Sequence, residues 1–316
     1  MTCIVRFALA FAMLIPALVE APAQVFSPGG KQAPPAEAGK PPPGVFRPAR
    51  PGDTTVPPPA TFPQSADWGN SQVEIAYQEA KDPQFNAIRE RLMKRQVLEQ
   101  LSLFLSPLRL PRKLLVQTAQ CNAERRPYQP GGPVTICYEY VAKVDQIAPR
   151  NPPAGSLPRE LMIVGAFVQT VLQQVSLAVF DILEIPVWGR EEDAADQVAA
   201  FIMVSFGKEV ALKVMIGAAW FFDASDRTWT GSDFASVQSP EAQRFFNYLC
   251  IAFGADQSTF KFLLDQNMLP LRRAQRCGNE FHALRFSFLK TIMPHVDQNL
   301  LKKVQGAGWL MLDEPK

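Results

Sequence analysis

The chain has 316 residues, enough for one large domain or two small ones. Its 47% hydrophobic content can furnish a sizeable core, and 32 basic against 30 acidic side chains leave a net charge of +2. That balance gives no electrostatic reason to expect nucleic acid or an anionic membrane surface as a partner, and no segment interleaves basic residues with aromatics.

Residues 1–23 read as a secretory signal peptide. Arg6 supplies the positive region, Phe7 to Val19 the apolar run, and Ala21-Pro22-Ala23 a small-x-small cleavage site. Cys3 precedes the apolar run, so it is not a lipoprotein anchor. The alternative is an uncleaved anchor, for which the run is short. Residues 24–66 read as a linker, with twelve prolines among the forty residues from Gln24 to Pro63. Such a stretch buries little apolar area and stays extended. A spacer is the default, and a ligand for a proline-binding partner the alternative.

The ordered domain is expected over 67–297. Val73 to Tyr77 alternates like a strand. Asp82-Pro83 reads as a helix start, and Phe85, Ile88, Leu92, Leu101 and Leu105 keep helical spacing, with Arg89, Arg91, Lys94 and Arg95 on a solvated face. Leu108 to Pro111 ends this helix. Lys113–Gln120 and Val134–Val141 read as strands on either side of a polar loop containing Pro127, Pro130, Gly131, Gly132 and Pro133. Ile147 to Pro158 is a second Pro-rich loop.

Leu161 to Leu183 reads as a long helix, and its first twenty residues, to Phe180, carry no charge. Gln169, Gln173 and Ser176 share one of its faces, beside Thr170 and Gln174. A helix apolar nearly all round is buried or spans a membrane. The hydroxyl and amide groups in its middle, with an acidic helix straight after, favour burial in a soluble core. A turn at Ile185-Pro186-Val187-Trp188-Gly189-Arg190 leads to a second helix, Glu191 to Val204. Further helices are expected over Val210–Phe222, from Pro240-Glu241 through Leu249, over Ser258–Asp265 and over Arg272–Leu289. Ala224 to Ser239 reads as a surface connection, and residues 298–316 form an unassigned tail.

Without Cys3, the cysteines are Cys121, Cys137, Cys250 and Cys277. An even count in an exported chain suggests two disulfides, and four cysteines allow three pairings. The pairs close in sequence, Cys121 with Cys137 and Cys250 with Cys277, are the economical expectation.

The run from Phe180 to Gln197 resembles a bacterial family of exported zinc metallopeptidases of the zincin-like class, catalogued mainly as a domain of unknown function. Cys121-Asn122-Ala123 with Tyr128, Ile136-Cys137-Tyr138-Glu139, Phe245 to Cys250, and Arg273 to Cys277 look like its landmarks. The resemblance covers roughly residues 70 to 297. It implies an α+β, zincin-like fold: a small mixed or antiparallel sheet, a buried site helix and a mostly helical C-terminal half. It also implies an edge strand above the site helix that accepts peptide, for which Val134–Val141 is the candidate.

In that family the helix before the Pro-Gly turn carries His-Glu-x-x-His, two zinc ligands and the base that activates water. The matching positions here are Gln173, Gln174 and Leu177. Leu177 offers no ligand atom, Gln173 only a neutral amide, and Gln174 cannot take a proton. The resemblance assigns Glu192 as third ligand and Asp196 as the residue orienting a ligand histidine. Acidic residues in a first helical turn also suit the helix dipole. Without the histidines, Glu192 and Asp196 are expected to hold the turn by capping and a buried ion pair, with Arg190 as a partner of either. The two histidines, His282 and His295, lie thirteen apart and share no helical turn. Serine and cysteine chemistry lack support, since Gly-x-Ser-x-Gly is absent and the cysteines read as paired.

These residues imply no catalytic zinc and no other cofactor. The expected protein is an inactive pseudo-peptidase of the cell envelope, binding a peptide or an envelope protein or serving a structural role. It touches membrane only through its N-terminal segment. The alternatives are a hydrolase with other metal ligands and an envelope scaffold anchored by that segment.

Overall fold

The computed structural model describes residues 72–152, 156–225 and 235–306. The expected signal peptide and linker, and the last ten residues of the tail, lie outside the described residues.

Three strands form one sheet in the order β1-β2-β3: β1 Val73–Tyr77, β2 Leu114–Ala119 and β3 Val134–Cys137. Both pairings are parallel, with Val73 opposite Leu114 and Val116 opposite Val134. This corrects the expected mixed or antiparallel sheet. Adjacent parallel strands need a crossover rather than a hairpin. Between β1 and β2 the crossover holds α1 (Asn86–Lys94) and α2 (Val97–Leu105). The expected single helix is interrupted at Gln96, whose φ of 50° lies in the left-handed region. Between β2 and β3 the crossover is the proline-rich loop itself. The expected strand Val134–Val141 is likewise shorter: the chain turns into α3 (Tyr138–Ile147) directly after Cys137.

The remaining elements are helical: α4 Arg159–Ile182, α5 Glu191–Val204, α6 Lys208–Ser225, α7 Glu241–Ala255, the short α8 Phe262–Asp265, α9 Leu271–Thr291 and α10 Gln298–Gly306. Thus part of the unassigned tail is a helix. Both disulfides form as expected, Cys121–Cys137 with S–S 2.08 Å and Cys250–Cys277 with S–S 2.00 Å. The first ties the end of β2 to the end of β3, where Ala119 already stands opposite Cys137. The second ties α7 to α9. Two disulfides are compatible with an exported chain.

Helix α4 is the axis of the fold. It is long and apolar enough to cross a membrane, with a mean hydropathy of 1.7, yet every residue from Gln169 to Phe180 is buried inside the protein. Its neighbours are α5, α6, α3 and β3. It meets α6 at two glycines. A Cβ on Gly165 would lie 2.6 Å from the Gly217 Cα, and one on Gly217 only 2.4 Å from the Leu161 carbonyl oxygen. The two backbones therefore touch, and the approach needs glycine on both sides.

Gly165→Ala is accordingly expected to overpack the crossing and destabilise the fold by about 1–3 kcal/mol, although alanine is the better helix former. Urea unfolding of the variant checks this. An unchanged midpoint would contradict so close a helix contact.

Candidate functional site

Helices α4 and α5 run antiparallel on either side of the Ile185–Arg190 turn, and their polar residues meet in register. Gln169 Nε2 donates to Asp196 Oδ1 at 2.9 Å. One turn further along α4, Gln173 Nε2 donates to Glu192 Oε2. Residues four apart on one helix thus face residues four apart on the other. Leu177 follows on the same face of α4 and is buried as well. Ser176, expected on the polar face, instead returns its hydroxyl to the Leu172 carbonyl at 2.7 Å.

The ladder continues beyond Gln173. Gln174 Nε2 donates to Gln173 Oε1 at 2.8 Å, and Gln174 Oε1 accepts from the Tyr128 backbone N–H at 2.8 Å. The crossover loop is fixed a second time at Asp181. That carboxylate accepts from the Tyr128 hydroxyl at 2.7 Å, from the Gly131 N–H at 3.0 Å and from Arg112. Burial opposes its charge, but these three donors prevail and hold its pKa below the usual carboxylate value.

Two arginines complete the electrostatics. Arg244, on α7, is 2% exposed and grips Asp196 with both nitrogens, Nε at 2.6 Å and Nη2 at 2.9 Å. Burial works against the Arg244 charge. The Asp196 carboxylate overcomes it and keeps the guanidinium pKa above its ordinary value. The Phe222 ring lies under the same guanidinium, 4.3 Å from centroid to Cζ. Arg125, in the crossover loop, is half-buried, and burial pushes its guanidinium pKa down, with Arg244 adding to the effect. Its Nη1 donates to Gln238 Oε1, and its Nη2 is buried without a hydrogen-bond partner. Glu192 feels the same environment with the opposite sign. Burial raises its pKa above the ordinary 4.5, against the pull of Arg125 and the Gln173 bond.

Arg125, Gln174 and Glu192 border a cleft of about 210 Å³. Its walls are Thr135, Ile136 and Cys137 of β3, Thr170 and Gln174 of α4, Glu192 of α5, the loop at Arg125, and residues 236–238. Its wall β3 is an edge of the sheet. The expected ion pair of the acidic turn exists, but its partner is Arg244. Arg190 pairs with Asp193 at 2.5 Å, not with Glu192 or Asp196, and reaches the Ser239 hydroxyl at 2.7 Å. No side chain caps α5 at Arg190.

Residues 77–290 match the family model DUF4344, described as a putative metallopeptidase. The chain belongs to this family. No curated protein and no solved structure matches it. For a member of a metallopeptidase family, the site residues present do not fit zinc. The positions brought together offer two amides, one leucine and one carboxylate, where catalytic zinc takes three good protein ligands. The amides are already bound to one another, to Glu192 and to Tyr128. His282 lies exposed on α9, and His295 sits in a turn after that helix; neither lines the cleft. Among the described residues, one group has metal-type ligand atoms close together: Cys121, Cys137 and Glu139. Its cysteines are joined as a disulfide, and Glu139 accepts the N–H groups of Cys121 and Asn122.

Arg125 and Arg244 carry half of the site's charge and escape a reading of the sequence. Arg244 stands in a polar opening turn, Glu241-Ala242-Gln243-Arg244, which looks like a solvated helix start. The usable signal is Tyr248 and Ile251 at helical spacing from it, both buried.

Removing Arg244 strands the Asp196 carboxylate in the interior. Arg244→Ala is expected to destabilise the protein by about 3–5 kcal/mol, well beyond the loss of a surface ion pair. Chemical denaturation measures it, and a cost under about 1 kcal/mol would show that the pair is open to water.

Proposed function

We infer that the protein is a zincin-like pseudo-peptidase: a family member that keeps the peptide cleft and has exchanged the zinc chemistry for a hydrogen-bonded seam. One observation carries the reading. The positions that the resemblance assigns to metal ligands, 173 and 192, do face each other across the two helices, and they are joined by an amide-to-carboxylate hydrogen bond. That contact supports a former ligand pair whose chemistry has been exchanged. Gln173 and Leu177 stand at the histidine positions, Gln174 at that of the base, and Glu192 and Asp196 remain as ligand and orienting residue without a metal to serve.

In this reading Gln174 cannot act as a general base, because an amide takes no proton near neutral pH. Its oxygen also has a partner already, the Tyr128 N–H. The cleft is the part with a remaining task. It runs beside β3, so an extended peptide can add to the sheet edge with its side chains over Thr170, Gln174 and Glu192. Trp188, 94% exposed on the turn before α5, offers a large apolar contact of the kind that anchors partners. The disulfides and the apolar N-terminal segment support an exported protein acting in the cell envelope on a peptide or an envelope protein.

Metal analysis combined with a peptide-cleavage assay tests this proposal. The purified mature protein is expected to hold no stoichiometric zinc and to cleave a mixed peptide library no faster than buffer. Zinc at about one ion per chain with measurable cleavage would support a hydrolase with other metal ligands and overturn the pseudo-peptidase reading.

A further inference from the structure

Arg125 is the feature of the cleft that the missing zinc chemistry does not explain. A buried guanidinium without a carboxylate is costly, and buried charges are ordinarily paired. Arg244 has Asp196. Arg125 has one neutral amide oxygen, Gln238 Oε1, on Nη1, and nothing on the buried Nη2. The carboxylates that act on it electrostatically are engaged elsewhere, Asp196 by Arg244 and Glu192 by Gln173. The guanidinium fork matches a carboxylate, which accepts from both terminal nitrogens at once, whereas the Gln238 oxygen takes one. Gln238 and Arg125 line the cleft together, with β3 forming another wall.

We propose that the cleft selects peptides bearing a carboxylate, which displaces the Gln238 amide and is clamped by the Arg125 guanidinium. This rests on the peptide-binding reading above and specifies the ligand class. The carboxylate comes either from an acidic side chain or from a peptide C-terminus. Glu192 lines the same cleft, and its carboxylate is held by the Gln173 amide.

Fluorescence anisotropy on the full mature chain, titrated against three labelled peptides of one alternating valine–threonine sequence, tests the proposal. The first ends in glutamate and is amidated, the second ends in glutamine with a free carboxylate, and the third ends in glutamine and is amidated. At least one carboxylate peptide is expected to bind on the order of tenfold more tightly than the neutral one, as charge-assisted bonds to a buried fork imply. Which of the two does so identifies the source of the carboxylate. Arg125→Gln should erase the difference between the carboxylate and neutral peptides. If that variant does not fold, Gln238→Ala serves instead: it removes the competing amide and should widen the preference for the carboxylate peptide several-fold. Equal affinities for all three peptides would overturn the carboxylate clamp while sustaining the peptide cleft. No binding by any peptide would overturn both.

Discussion

A helix buried on every side cannot leave polar groups unanswered, and α4 carries four long or branched polar residues, Gln169, Thr170, Gln173 and Gln174, through its buried middle. Each unanswered group would cost on the order of 1–3 kcal/mol. The structure answers them with a fixed set of partners. Asp196 and Glu192 on α5 take the two amides facing them, and Tyr128 takes Gln174 by its backbone. Thr170 donates to the Tyr140 hydroxyl at 2.7 Å, which itself donates to the Ala166 carbonyl at 2.9 Å. These bonds fix the register of α5 on α4 and hold the crossover loop across α4. The rest follows from that requirement.

Bringing Asp196 inside creates a second requirement, a buried cation, and α7 meets it with Arg244. The polar seam therefore extends over three helices, and the Cys250–Cys277 disulfide binds α7 to α9 behind it. On its other flank α4 needs no polar partner and is held by shape. The Gly165–Gly217 contact lets α6 lie against the α4 backbone. A seam of this kind favours specificity of arrangement over net stability, because each hydrogen bond replaces one with water. On the pseudo-peptidase proposal, the same seam would hold the site helix in place without metal ligands. A histidine-to-glutamine change keeps a side chain that reaches the same carboxylate. Gln174 holds the crossover loop through the Tyr128 N–H, and Leu177 adds apolar burial.

Much of this was legible in the sequence, for definite reasons. The helix pair showed itself by an uncharged run, a Pro-Gly turn and an acidic opening turn, and both disulfides followed from proximity. The i, i+4 spacing of Gln169 and Gln173, and of Glu192 and Asp196, was visible; that the two pairs form one ladder required the antiparallel register. The sheet was harder: a mixed or antiparallel sheet was expected, and fourteen residues separate β2 from β3. The length exceeds a hairpin loop and suffices for a crossover. The four buried residues of β3, Val-Thr-Ile-Cys, were the available cue, since parallel strands bury both faces. The extra residues Tyr138 to Val141 resembled strand because aromatic and β-branched residues suit either state, and helical burial of Tyr138, Val141 and Val144 decided it. Arg125 was invisible because an arginine in a polar loop carries no mark of burial, and Arg244 was marked only by Tyr248 and Ile251 at helical spacing from it.

The pseudo-peptidase proposal holds that positions 173 and 177 of α4 and Glu192 of α5 would converge on one metal if ligands stood there. Zinc titration of the double variant Gln173→His with Leu177→His, followed by calorimetry, tests it most directly. The two histidines lie at i and i+4 on the face that meets Glu192, so the account predicts a folded variant with one zinc site. Its affinity should exceed that of the parent by orders of magnitude and be lost again when Glu192→Ala is added. A double variant that folds and gains no zinc affinity would contradict the account, because position 177 and Glu192 would then not converge on one point with position 173.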